Sequence, residues 1–346
     1  MKEYIDRLKE EHTLTREGFE TLLSRRDADT HAYALEQAVK IRQQIYGRDI
    51  YIRGLVEVSS YCKNNCYYCG IRSGNKKASR YRLTPDEILD CCREGYQLGF
   101  RTFVLQGGED AWYTDEILTA VIQDIKKDFP DCAVTLSLGE RSKESYRRLY
   151  AAGADRYLLR HETATEEHYR KLHPPNLSLT DRKTCLKDLK EAGYQVGAGF
   201  MVGSPGQTYA HLAEDLLFLR KLSPHMVGIG PFLSHQDTPF AHEPNGDLDL
   251  TLFLLALIRL MLPKVLLPST TALGTLHPEG RKLGILAGCN VVMPNLSPSG
   301  VREKYLLYDN KIATGLEAAE SIDLLKKQME EIGYKIVCAR GDYPAS

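Results

Sequence analysis

The chain has 346 residues, a formal net charge of −1, 43% hydrophobic and 26% charged residues. That balance supplies an ordinary globular core and argues against nucleic-acid binding driven by bulk charge. The opening Met1-Lys2-Glu3-Tyr4-Ile5-Asp6 has no apolar signal core. The longest apolar stretch, 248–267, is broken by Asp249, Thr251, Arg259, Pro263 and Lys264, so nothing reads as membrane-spanning. Nine cysteines without a secretory signal point to a reducing cytoplasm.

Residues 1–47 read as an N-terminal helical cap, with Ile5, Leu8, Leu22, Leu23, Ala34, Ala38, Ile41 and Ile45 near helical spacing. From residue 51 strands and helices alternate. Strands are expected at 51–58, 102–106, 132–138, 156–160, 195–201, 226–231, 265–269 and 290–294. Helices are expected at 84–98, 115–129, 141–152, 166–172, 179–192, 209–222, 248–262 and 280–286. Thr84-Pro85-Asp86-Glu87 carries an N-cap, a proline at N1 and the glutamate of a capping box. Gly99, Gly153, Gly193 and Gly288 stand where helices end. Eight alternations predict a parallel sheet closed as a (β/α)8 TIM-type barrel over 48–346, a single α/β domain behind its helical extension. In such barrels chemistry gathers at the C-terminal ends of the strands.

Directly after the first strand comes Ser60-Tyr61-Cys62-Lys63-Asn64-Asn65-Cys66-Tyr67-Tyr68-Cys69-Gly70, a Cys-x3-Cys-x2-Cys spacing. Thiolates on one loop can bind three irons of a 4Fe-4S cluster. With no fourth local cysteine, one iron is left for a small molecule. Structural zinc asks for a fourth cysteine or histidine, yet His31 and His161 are the nearest histidines and there is no second Cys-x2-Cys pair. A disulfide set fails on the odd count.

This motif, with Tyr68 before its last cysteine, resembles the signature of the radical S-adenosylmethionine (SAM) superfamily. The resemblance implies one 4Fe-4S cluster on Cys62, Cys66 and Cys69. It also implies SAM chelating the open iron, and reductive cleavage of SAM to a 5′-deoxyadenosyl radical. An oxygen-sensitive cluster implies an anaerobic setting.

Other strand ends then take on meaning. Gln106-Gly107-Gly108-Glu109-Asp110 lets backbone approach a ligand; the resemblance places Gly107, Gly108 and Glu109 against the methionine amino group. Alternation puts Thr135 and Ser137 on one face of their strand and Cys132 on the other. No set of lumen cysteines like that of biotin synthase is therefore expected. Arg160-His161-Glu162-Thr163 brings charges out of an apolar strand, which is costly unless they are paired. Glu162 resembles a SAM ligand, Arg160 or His161 suits a carboxylate, and Arg182 suits the SAM carboxylate; an internal ion pair or a surface arginine are the plainer readings. Met201-Val202-Gly203-Ser204-Pro205-Gly206-Gln207-Thr208 resembles an adenine-side loop, with Met201 as lining or simply as core. The loop 233–244 carries His235, Asp237 and His242, and could serve as a lid, a surface excursion or a metal site. Thr270 and Thr271 suit a small anion or the cap of the following helix.

Longer stretches are similar to the HydE family of FeFe-hydrogenase maturases. These are Arg53-Gly54-Leu55-Val56-Glu57, Tyr81-Arg82-Leu83-Thr84-Pro85, Tyr157 to Thr163, Met226 to Phe232 and Asn290 to Asn295. Family members often carry Ser where Gly107 stands. The resemblance implies an organometallic iron–cysteine substrate bearing carbonyl and cyanide, with Arg160, Thr270, Thr271 and Tyr305 near it. It further implies a ferredoxin or flavodoxin as reductant, and other hydrogenase maturases as partners. Some members hold a second cluster on C-terminal cysteines; 311–325 has none here. An amino-acid mutase of the methylornithine synthase type and a non-catalytic iron–sulfur carrier remain as alternatives.

Overall fold

The computed structural model describes residues 1–312 and 318–344. Three helices come first: α1 (Lys2–Glu11), α2 (Arg16–Ser24) and α3 (Ala28–Tyr46). The expected first strand divides at Arg53 into β1 (Asp49–Ile52) and β2 (Gly54–Ser59), because its halves pair with different neighbours. There follow α4 (Pro85–Gln97), β3 (Thr102–Gly107), α5 (Asp115–Asp128), β4 (Ala133–Ser137), α6 (Lys143–Ala151), β5 (Arg156–Leu158), α7 (Glu166–Leu172), α8 (Leu179–Ala192) and β6 (Gln195–Ala198). Next come β7 (Met201–Val202), α9 (Tyr209–Leu222), β8 (Met226–Val227), β9 (Gly230–Pro231), α10 (Leu248–Met261), α11 (Thr271–Leu276) and α12 (Gly280–Leu286). The chain ends through β10 (Val291–Val292), α13 (Ser299–Arg302), α14 (Ala318–Glu331) and β11 (Lys335–Val337).

Strands β2, β3, β4, β5, β6 and β8 pair in parallel in that order. The seventh position, 265–268, is held by single parallel bridges, Met226 to Leu266 and Pro268 to Val291. The eighth, β10, pairs with β1, and Leu55 bridges Asn295, so the sheet closes on the strand that began it. This is the expected eight-fold α/β barrel, with its last quarter joined by bridges rather than ladders. The strand β11, which the sequence pattern misses, adds to the outer edge of β1.

Helix α10 is buried over Thr251–Met261. A helix apolar on all sides must be covered on all sides; the barrel lies on one face and α1 and α3 on another. Its one buried cation, Arg259, donates to the carbonyls of Gly288, Pro263 and Val265 and to Asn290 Oδ1. Among the described residues no helix is long and apolar enough to cross a membrane. The segment 311–325, read above as lacking cluster cysteines, lies in part outside the described residues.

Candidate active site

The β2–β3 register shifts between Glu57 and Ser59, and there the strand turns into the cysteine loop. Such irregularities re-aim the chain at barrel rims. The loop is tied down by backbone bonds. The N–H groups of Ser60, Lys63, Tyr67 and Gly70 donate to the carbonyls of Tyr81, Glu109, Leu172 and Leu307. From the outer side, the Arg80 guanidinium donates to the carbonyls of Ser60, Ile71, Arg72 and Asn75.

Cys62, Cys66 and Cys69 are free thiols and half-buried; Cys91, Cys92, Cys132 and Cys289 are free and buried. Burial pushes the Cys69 thiol up to about 12, and the field of Cys62 adds to it. Burial and both neighbouring thiols push Cys66 up as well. Thiols so raised stay protonated at neutral pH unless a metal's charge draws the proton off. No group of three or more His, Cys, Asp or Glu among the described residues could hold a single ion. A multi-iron cluster, in which each thiolate binds a different iron, fits this donor set better than zinc.

Gly108 packs directly against the loop. A Cβ there would lie 2.2 Å from the Tyr61 carbonyl oxygen and 2.7 Å from Cys62 Cβ. Gly107 ends β3, opposite Ser59. The Glu109 carboxylate accepts from the Glu140 N–H at 2.9 Å and pairs with Lys63 at 3.2 Å, so this stretch presents backbone rather than a free carboxylate to the site. Beside it, Asp110 accepts from Ser59, Arg82 and the Trp112 N–H.

On β4, Thr135 Oγ1 is buried without a hydrogen-bond partner, and Ser137 lies half-buried at the strand end. After β5, Arg160 Nη2 lies 3.1 Å from Glu162 Oε2. Glu162 has φ 63, and its N–H donates to the Gly199 carbonyl. His161 points the other way. Gly199 N–H donates to its Nδ1 at 3.3 Å, which leaves the proton on Nε2, 3.3 Å from Asp215. The carboxylate that His161 meets is thus a core residue of this chain, and burial lowers the imidazole to about 3. Arg182 is no surface residue. It is buried, with Nε 2.6 Å from Glu140 Oε1 in a close ion pair that lacks hydrogen-bond alignment. Burial is the largest single influence and would lower its pKa, but Glu140 together with Tyr169, Tyr68 and Glu109 outweighs it, so the guanidinium stays charged.

Tyr68 stands edge-on to His173, with hydroxyl and Nε2 3.2 Å apart. Met201 packs with Leu172, Phe232 and Tyr68 in a small apolar cluster apart from the main core. Thr270 precedes α11 without capping it through its side chain, and its buried Oγ1 has no partner. Thr271 opens that helix, and its carbonyl accepts from the Thr275 hydroxyl. The buried Tyr305 hydroxyl meets Gln106 Nε2 at 3.4 Å. His235 is pressed against Gly70, and the N–H of Asp237 donates to its Nδ1.

Sequence reasoning missed Glu140, His173 and a buried pair, Glu57 with Lys311. Glu57 is 1% exposed; it pairs with Lys311 Nζ at 2.5 Å and accepts from Asn295 Nδ2 at 2.9 Å. Glu140 carried a signal, an acid just past the end of β4. Lys311 carried none.

These features sit at the C-terminal ends of the barrel strands, around the cysteine loop. The radical SAM superfamily model matches residues 56–219. Over 334 residues the chain is 45% identical to the FeFe hydrogenase maturase subunit HydE of Thermotoga maritima, covering 96% of this chain and 95% of that one. The chain belongs to the HydE family of radical SAM enzymes. A more distant relative is 3-methylornithine synthase of Methanosarcina barkeri, 28% identical over 95% of this chain and 92% of that one. The solved structure of methylornithine synthase (PylB) superposes with a TM-score of 0.85 at 27% identity, covering 96% and 97%. The barrel is therefore common to this chain and methylornithine synthase, and sequence separates them. Radical SAM chemistry uses a 4Fe-4S cluster and SAM, and three free thiols on one loop fit such a cluster.

Proposed function

We propose that this HydE-family enzyme works in assembly of the di-iron subcluster of FeFe hydrogenase, on a cysteine-bound iron carbonyl cyanide precursor. The observation that carries this reading is the 45% identity to the Thermotoga maturase over nearly the whole chain, against 28% to the mutase. Cys62, Cys66 and Cys69 hold the cluster in this reading. When bound, cluster and SAM supply a 5′-deoxyadenosyl radical by one-electron cleavage of the sulfonium.

The chain's own residues bind and orient. Backbone of Gly107, Gly108 and Glu109 meets the methionyl end of SAM, and Arg182, braced by Glu140, meets its carboxylate. Glu162 accepts from the ribose diol or the ammonium, with Thr135 and Ser137 as hydroxyl partners and Tyr68 and Met201 as lining. The small anionic groups of the substrate fall to Arg160, Thr270 and Thr271, with Tyr305 at the cavity wall. The unpartnered Thr270 Oγ1 supports that role, since a buried hydroxyl left unbonded costs free energy. In this reading the deoxyadenosyl carbon would form a C–S bond to the substrate's cysteine sulfur, an adenosylation, with the unpaired electron taken up by the substrate's own iron. A one-electron carrier and other maturases complete the system, in an anaerobic cytoplasm.

The test is an anaerobic turnover with dithionite, SAM and the cysteine-bound iron dicarbonyl cyanide complex, read by mass spectrometry. An adenosylated cysteine product that needs all three cysteines supports the reading. SAM cleavage indifferent to the iron complex removes the substrate assignment, and conversion of lysine to methylornithine would install the mutase reading, whose barrel this chain shares. An intact, reducible cluster that never cleaves SAM would leave only a carrier.

A further inference from the structure

From Val58 to Pro85 the chain carries Lys63, Arg72, Lys76, Lys77, Arg80 and Arg82 and not one carboxylate, in a protein whose net charge is −1. This segment is the cysteine loop together with the loop laid over it. Three of the cations face a carboxylate: Lys63 faces Glu109, Lys77 faces Asp237 and Arg82 faces Asp110. The other three bond to neutral groups. Arg72 donates to Asn65 Oδ1, Lys76 to the Ser73 carbonyl, and Arg80 to the backbone carbonyls named above. The segment that carries the cysteines keeps an excess of positive charge.

It also carries aromatic rings in water. Tyr61, next to Cys62, is 37% exposed, and Trp112, the only tryptophan, is 38% exposed. They are linked: the Arg82 guanidinium lies 3.9 Å from the Tyr61 ring centroid, Arg82 pairs with Asp110, and Asp110 accepts the Trp112 N–H. Exposed aromatics with arginine are the usual anchors of protein interfaces. At Lys63 and Asp110 the sign changes. A groove of about 400 Å³ there is lined by Glu109, Asp110, Asp115, Glu116 and Glu140 along with Lys63 and Arg141. An acidic partner is drawn to one side of the cysteine loop and repelled from the other, which sets its orientation.

We infer that the surface of Tyr61, Lys63, Lys76, Lys77, Arg82 and Trp112 docks an acidic one-electron carrier protein. This rests on the radical SAM reading of the site, because only a redox centre on Cys62, Cys66 and Cys69 gives the carrier a task. In the step, the reduced carrier loses one electron and the centre behind the loop gains it; no proton or group moves. Aromatic anchors among paired charges fit a folded protein partner. A phosphate surface would meet Glu109, Asp110 and Asp237 at its edge.

The experiment uses reconstituted holoprotein and flavodoxin as the acidic probe. Affinity for oxidised flavodoxin is measured by calorimetry at low and high salt, and SAM cleavage is driven separately by reduced flavodoxin and by dithionite. Lys76→Glu with Lys77→Glu is expected to weaken binding about tenfold or more at low salt and to flatten its salt dependence. Trp112→Ala is expected to weaken it several-fold at either salt. Flavodoxin-driven cleavage falls in parallel while dithionite-driven cleavage stays unchanged. Lys326→Glu with Lys327→Glu, on α14, is the control and should bind as wild type. Equal affinity of the Lys76/Lys77 variant and wild type, or equal weakening by the control, overturns the proposal. Failure of wild type to cleave SAM with dithionite counts against the radical SAM reading instead, and the binding arm still decides the surface.

Discussion

Arg160 and Glu162, two residues apart at the end of β5, hold their charged groups 3.1 Å from each other at the barrel mouth. Glu162 reaches that place with φ 63, a left-handed conformation that costs a non-glycine residue roughly 1 kcal/mol or more. The strain and the pairing both argue that a carboxylate is needed at this point. Glu162→Gly should relax the backbone and leave the thermal midpoint unchanged or higher, while SAM affinity falls about tenfold or more. Glu162→Gln should lose affinity without the gain in stability. Equilibrium dialysis with SAM, beside a thermal melt, separates the two effects. Wild-type affinity in Glu162→Gln would remove this residue from the SAM site.

The three loop cysteines should differ from the other six in iron chemistry and not in folding. Replacing Cys62, Cys66 or Cys69 with Ala should abolish a reconstituted cluster, about four irons per chain in wild type, and leave far-ultraviolet dichroism unchanged, since all three are only half-buried. Cys338→Ala, at an exposed position, should retain full iron. Gly108→Ala should also lose iron, because its Cβ would lie 2.2 Å from the Tyr61 carbonyl oxygen and displace the loop. Iron content and absorbance near the visible edge decide each case.

Glu57 and Lys311 form an ion pair with both side chains almost out of water, at 1% and 7% exposure. Breaking a buried pair leaves one charge uncompensated, at a cost of about 3–5 kcal/mol. Lys311→Met should therefore destabilise the apoprotein strongly in urea. Lys311→Met combined with Glu57→Gln should recover much of the loss. A double variant as unstable as the single one would show that lost packing, not stranded charge, is the cause.

Buried neutral histidines make the protein acid-sensitive. Burial lowers His168 to about 4 and His173 to about 3. Both therefore stay neutral in the folded chain where the unfolded chain, near 6.5, takes up protons. The unfolded state binds more protons below 6.5, so stability is complete above that pH and falls as pH drops toward the folded values. At pH 5.5 each costs about 1.4 kcal/mol relative to neutral pH. His161 is left out of this sum, because burial raises Asp215 beside it and the two shifts oppose each other. Urea midpoints of the apoprotein at pH 7.5 and 5.5 should show the drop. His168→Gln with His173→Gln should flatten it, and an unchanged slope would mean that these rings titrate normally.

Local pattern carried much of the architecture. The capping box at Thr84 and Glu87 is present as expected. Burial of β2 at every position and of α10 on all sides matches the apolar runs in the sequence. The seventh strand position was legible as a short apolar run, yet it pairs only through two bridges, which periodicity cannot foresee. Strand β11 escaped notice because three residues hold too little alternation to stand out.

The cysteine spacing, the alternation that builds the barrel and the glycines at its mouth are each encoded within a few residues and could be read from the chain alone. What each charged group faces follows from the folded barrel. Asp215 lies far along the chain from His161, Glu140 from Arg182, and Lys311 follows Glu57 by 254 residues. Such pairs are formed by barrel closure, which brings distant strand ends to one rim. The cost of leaving a buried charge unpaired then selects the partners, and no local pattern records that choice.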